Sequence, residues 1–218
     1  MEIKDSGSTR EFETGAHRDN AEGKGRCDLV PGLYAAQASV AIDDMAFDAI
    51  GLFSPTTMND CGEEEVNPYY VDLLNYAVYQ GFSALSDKNN FACLILNVIA
   101  ATAIAEGIRA NMASRDVAIT SDDVEDCDAF AKKMYWYGIM QVSKHYEEGG
   151  KKYGYNNWKK GMQTHVYYDS MLRHLTKANA GMEDEPHIRA ACWNALCLLW
   201  TFNNQPSLND LVFDEEYR

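Results

Sequence analysis

The sequence predicts an all-α protein, a bundle of about six helices, on three observations. From residue 32 onward, apolar residues recur at the three- and four-residue spacing of helix faces. Five polar stretches rich in Ser, Asn, Asp, Gly and Pro cut that pattern into helix-length pieces. No run of useful length alternates apolar with polar residues, as a half-buried strand would. "DVAIT", 116–120, is the one candidate strand.

The elements follow in chain order. Residues 1–31 are polar and glycine-rich, with neither helical nor strand periodicity, and read as an extended arm. Helices are expected at about 32–51, 67–85, 88–113, 126–150, 164–179 and 186–203, with an acidic tail over 204–218. The third contains the longest apolar run, "FACLILNVIAATAIA", 91–105. It is too short to span a bilayer and stops at Glu106, so it reads as a buried helix. In the fourth, Tyr135, Ile139, Val142 and Tyr146 form one apolar stripe. Glu147 and Lys151, and Glu148 and Lys152, lie four apart on a polar face. In the fifth, Tyr168, Met171, Leu172 and Leu175 make the buried side, and His165, Asp169, Arg173 and Thr176 run along another. In the sixth, His187 and Asn194 share one face, and Trp193, Leu196 and Trp200 share a second. Asp184, Glu185 and Pro186 mark its start, where acids and a first-turn proline suit a helix N-terminus.

With 218 residues and 46% hydrophobic content, the chain can bury the core of one ordinary domain. Its net charge of −14 disfavours DNA or RNA polymers as partners. A nucleotide ligand would need divalent cations and a local Lys/Arg cluster to reverse the field. Six cysteines are scattered with no C-x-x-C pair, and Cys93, Cys192 and Cys197 lie in apolar runs and read as buried free thiols. No signal peptide follows Met1, so the cytoplasm is the expected compartment, with no membrane association.

Several residue groups carry two readings each. Glu147, Asp169, Asp184 and Glu185 could converge as oxygen ligands for Mg²⁺ or Mn²⁺. They also read as surface acids paired with Lys151 and Arg173, at roughly 0.3–0.5 kcal/mol per pair. His174 and His187 are candidates for a general base, or hydrogen-bonded histidines between helices. No H-E-x-x-H spacing points to zinc. Trp158 could stack on a purine, but as an isolated observation it reads as an anchor for a helix–loop junction. "RDNAEGKGR", 18–26, places Arg18, Lys24 and Arg26 among glycines whose amides can approach an anion, yet lacks the Walker A order.

Four blocks taken together add a resemblance. "KDSGSTREFETGAHRDNAEGKGRCDLVP", "KHYEEGGKKYGYNNWKKG", "YYDSMLRH" and "GMEDEPHIRAACWNALCLLWT" occur in the order found in the phage-borne dATP/dGTP diphosphohydrolase family, which is similar to the MazG-like all-α nucleoside triphosphate pyrophosphohydrolases. The resemblance implies a MazG-like core at 126–203, carrying an N-terminal arm (1–31) and an inserted helical segment (32–125) within a single domain. It implies hydrolysis of a purine deoxynucleoside triphosphate to the monophosphate and pyrophosphate with Mg²⁺ or Mn²⁺, in a dimer or tetramer. By matching position, Glu147, Asp169, Asp184 and Glu185 fall to metal. Arg18, Lys24, Arg26, Lys152, Asn157, Trp158, Arg173 and Asn194 fall to substrate. His174 and His187 fall to proton transfer beside Glu147 and Asp169. The sequence departs from the wider superfamily, where the sixth helix offers Ala191 and Asn194 in place of acids. That departure keeps open an alternative of the same ancestry, a protein that holds a nucleotide without cutting it. A purely structural helical protein is a third reading.

Overall fold

The structure is a computed structural model that describes residues 9–11, 17–19, 24–44, 56–58, 64–66, 68–118 and 126–214. Among the described residues, six helices form the bundle: α1 (Gly32–Asp44), α2 (Pro68–Ser83), α3 (Phe91–Ser114), α4 (Cys127–Tyr153), α5 (Thr164–Asn179) and α6 (His187–Asn204). Short 3₁₀ turns at Cys27–Leu29, Ala84–Ser86, Asn157–Lys160 and Pro206–Leu208 join or flank them. The all-α class and the helix count are as the periodicity predicts. Residues 45–51 of the expected first helix lie outside the described residues, and α4 runs three residues further than expected.

The polar connections hold two three-residue antiparallel ribbons that no periodicity signalled. β1 (Thr9–Glu11) pairs with β2 (His17–Asp19) in the arm, and β3 (Thr56–Met58) with β4 (Glu64–Val66) before α2. Strands this short show no alternation to read. "DVAIT" is not a strand over 116–118, and 119–120 lie outside the described residues.

Helix α3 lies at the centre, packed against α1, α2, α4 and α6. It runs past Glu106 to Ser114, close to the end expected at 113. Glu106 is only 1% exposed and accepts Nε and Nη2 of Arg109 at 2.9 and 2.8 Å, one turn further along. That bidentate partner makes a buried carboxylate tolerable. By length and composition α3 could cross a membrane, but 72% of its most apolar window is buried inside the protein. One hydrophobic core draws on α1, α2 and α3 as well as α4, α5 and α6, so it runs across the expected division at 125/126.

Two glycines set the closest approach in the bundle. A Cβ on Gly138 of α4 would lie 1.8 Å from Ala103 O, and one on Gly107 of α3 would lie 1.9 Å from Met134 O. The two longest helices therefore touch backbone to backbone. On the same side of α4, Tyr135, Ile139, Val142 and Tyr146 are all buried, and Tyr135 donates to Ala35 O of α1 at 2.5 Å. In α5, Tyr168, Met171 and Leu175 are buried and Leu172 half-buried, while His165, Asp169, Arg173 and Thr176 face solvent, as the spacing predicts. Beyond α6 the chain folds back. Asp210 accepts His165 N–H at 3.0 Å, and Phe213 meets the edge of Phe91.

The cysteine reading needs one correction. Cys192 and Cys197 are buried, and burial pushes the Cys192 thiol up to about 12, but Cys93 is exposed. A helix that is apolar all round gives no sequence signal of which face a small residue takes.

Candidate functional site

The turn between α5 and α6 brings two histidines and two acids together. His174, from the buried side of α5, and His187, the first residue of α6, set their Nδ1 atoms 3.0 Å apart. Oε1 of Glu185 lies 3.7 Å from the first and 3.8 Å from the second. Asp184 accepts from His187 Nε2 at 2.8 Å, and Lys177 Nζ donates to Asp184 at 2.8 Å. Both histidines are almost fully buried, while both acids are exposed.

Asp184 decides the chemistry of His187. An ionised carboxylate only accepts, so the Nε2 that faces it carries the proton and the lone pair of neutral His187 sits on Nδ1. Lys177 and His187 together hold the pKa of Asp184 down to about 2, which keeps it an acceptor. Burial lowers the pKa of His174, against the pull of Glu185.

The donor geometry fits a divalent ion. Metal–nitrogen bonds of roughly 2.0–2.1 Å at tetrahedral or octahedral angles separate ligand atoms by about 2.8–3.4 Å; the two Nδ1 atoms fall in that range and Glu185 Oε1 stands a few tenths of an ångström beyond it. A carboxylate on the remote imidazole nitrogen is also the usual support for a metal-binding histidine. Among the described residues, His174, Glu185 and His187 are the one group of three such donors, with ligand atoms within 4.8 Å of one another. Two nitrogens and an oxygen suit a transition ion better than Mg²⁺, which prefers an all-oxygen shell.

On the neighbouring stretch of α4, Glu147 is held from two sides. Its Oε2 accepts Gly25 N–H from the arm at 2.8 Å, and its Oε1 pairs with Lys151 at 3.0 Å. Arg26 N–H donates to Ser143 O at 3.1 Å, so the arm docks along α4. Gly25 has φ of +87°, and a Cβ there would strike Ser143 Oγ, which restricts the position to glycine.

A cavity of about 420 Å³ opens between the end of α4, the turn 154–158 and α6, lined by His145, Tyr146, Gly149, Trp158 and Trp193 among others. Tyr146 sits between the two indoles, 5.7 Å from Trp158 and 5.8 Å from Trp193, and His145 is 5.5 Å from Trp193. His145 joins this cavity to the histidine cluster. Burial lowers its pKa most, and Arg189, Glu148, His174 and Glu185 all lie within electrostatic reach of it. Arg189 in turn donates to both oxygens of Glu148 at 3.3 Å.

Residues 127–211, from the start of α4 through α6 into the returning tail, match the family model described as dATP/dGTP diphosphohydrolase, N-terminal. Over that stretch the chain is similar to this family. Helices α1–α3 and the arm lie outside the match. No curated protein and no solved structure matches the chain.

The structure distributes the expected site residues unevenly. His174, His187, Asp184 and Glu185 come together as described. Glu147 and Asp169 stand outside that cluster, the first engaged by the arm and Lys151, the second exposed on α5. Asn157 and Trp158 line the cavity. Asn194 is buried, with its amide donating to Ala190 O at 2.8 Å. Lys152 is exposed, with its ammonium over the Tyr153 ring, so the expected Glu148–Lys152 pair gives way to Glu148–Arg189. Arg173 donates to Ser170, and Arg26 pairs bidentately with Asp28 beside the Tyr155 ring. Lys24 is exposed in the arm, and the side chain of Arg18, in β2, lies outside the described residues. Sequence reasoning gave no role to Arg189, Lys177 or His145. Arg189, at two positions past His187, and His145, one turn before Gly149, were the available signals.

Proposed function

We propose that the protein hydrolyses a purine deoxynucleoside triphosphate to the monophosphate and pyrophosphate in a reaction that depends on a divalent metal. One observation carries the reading. The stretch that matches the diphosphohydrolase family contains both the His174/Glu185/His187 cluster and the aromatic cavity, joined through His145. A nucleoside triphosphate has the same two parts, an anionic chain and a flat heterocycle.

His174, His187 and Glu185 would hold the ion, and the nitrogen donors favour Mn²⁺ over Mg²⁺. A divalent ion there supplies charge neutralisation for the phosphates and acidifies water. Asp184 fixes the His187 ring and its tautomer, and Lys177 balances the paired acids. Arg189 adds a cation beside His145. Glu147, buried at the arm contact, orients the loop that carries Lys24 and Arg26 toward the phosphates.

The test is pyrophosphate release from dATP and dGTP by chelator-treated protein after addition of Mn²⁺ or Mg²⁺. Turnover should return with Mn²⁺ more strongly than with Mg²⁺, and Glu147→Gln and His187→Ala should abolish it. Absence of metal-dependent turnover with all eight common nucleotides would sink the reading. One observation favours a second reading, binding without cleavage: Glu147 is already committed to Gly25 and Lys151. Tight calorimetric binding with the nucleotide recovered intact would support that alternative.

A further inference from the structure

We infer that the cavity walled by Tyr146, Trp158 and Trp193 receives the purine base of the nucleotide, held by its aromatic walls. This rests on the nucleotide reading above and assigns the base end of the same site.

The volume, about 420 Å³, lies within the range of small-molecule sites. Its walls are aromatic faces, on which any base can stack and a two-ring base gains more contact than a one-ring base. Two polar atoms of these walls are unusual. Trp158 Nε1 and His145 Nδ1 are both buried and have no hydrogen-bond partner. Both are closed off from the cavity itself, so what the walls present to a ligand is mainly ring surface. The cavity also has a bare stretch of helix. A Cβ on Gly149 would meet no atom within 4 Å, so a side chain there would enter open space without striking the protein.

That vacancy supplies the test. Calorimetry with dGMP, dAMP, dCMP and dTMP is run on the wild type, Gly149→Leu, Gly149→Ala and Trp158→Phe. The purine monophosphates should bind at least about tenfold more tightly than the pyrimidine ones. Gly149→Leu should weaken purine binding by about tenfold or more, leave pyrophosphate binding unchanged and melt no lower than Gly149→Ala. Trp158→Phe reduces that wall from two fused rings to one and should weaken purine binding several-fold. Purine binding by Gly149→Leu and Trp158→Phe equal to the wild type would overturn the inference. So would equal affinity for all four monophosphates, or no binding of purine monophosphates to the wild type. Purine binding of the expected pattern without pyrophosphate release would refute hydrolysis and leave the base site standing. Turnover whose KM is the same in wild type and Gly149→Leu would do the reverse.

Discussion

Asp184 governs two neighbours from an exposed position, taking Lys177 Nζ on one oxygen and His187 Nε2 on the other. Removing such support from a metal-binding imidazole usually costs on the order of 10–100-fold in metal affinity. Asp184→Ala should therefore weaken Mn²⁺ binding by that factor, measured by metal titration, while the circular dichroism of the bundle stays unchanged. The buried histidines also predict a pH dependence. Burial holds His174 and His145 below their ordinary 6.5, so the unfolded chain takes up protons that the folded chain resists. Stability is then full above about pH 6.5 and is lost as pH falls from that value through the folded pKa values. Urea midpoints should fall as pH is lowered below about 6.5, and His174→Gln should flatten the slope. Asp184 adds a separate loss only below its ordinary 3.8. The four residues of this cluster were each legible in the sequence, as was the acid pair before Pro186. Their meeting was not, because His174 and His187 are thirteen residues apart and the turn between them decides whether the rings face.

The α3–α4 crossing and the arm contact each hang on a glycine. Gly138→Ala would force the two longest helices apart, since its Cβ falls inside the radius of Ala103 O. Overpacking of this kind costs about 1–3 kcal/mol, and backbone against backbone places it at the upper end. A drop of about 3 kcal/mol in urea unfolding is expected, the opposite of the usual gain for Gly→Ala in a helix. In the arm, Gly25→Ala should undo the docking on α4 rather than unfold the bundle. Trypsin cleavage at Lys24 and Arg26 should speed up several-fold, with little change in the melting of the remaining fragment. At this scale the sequence was most readable where one face repeats, as with Tyr135, Ile139, Val142 and Tyr146. It was least readable where a distant segment completes the burial. Glu147 sits on a face that reads as polar, yet it is buried and accepts the amide of Gly25, 122 residues earlier.

A net charge of −14 surrounds a site proposed for an anion. Association should then respond to salt with the sign opposite to that of a basic nucleotide-binding protein. Raising ionic strength from about 0.01 to 0.15 M shortens the screening length from about 30 to 8 Å, which weakens repulsion by distant acids. The association rate for a metal–nucleotide complex should rise over that range, as stopped-flow mixing would show, and a fall would mean that local cations dominate. The shared core also ties α1–α3 to the stretch that matches the family, so removal of residues before Cys127 should leave an aggregating fragment. The aromatic wall has a practical corollary. Of the four tryptophans, Trp158 and Trp193 face the cavity and Trp200 stands edge-on to Trp158 at 5.0 Å. Most of the molecule's intrinsic emission therefore originates around a single chamber, and the protein carries its own optical gauge of whether that chamber is filled, with no label attached.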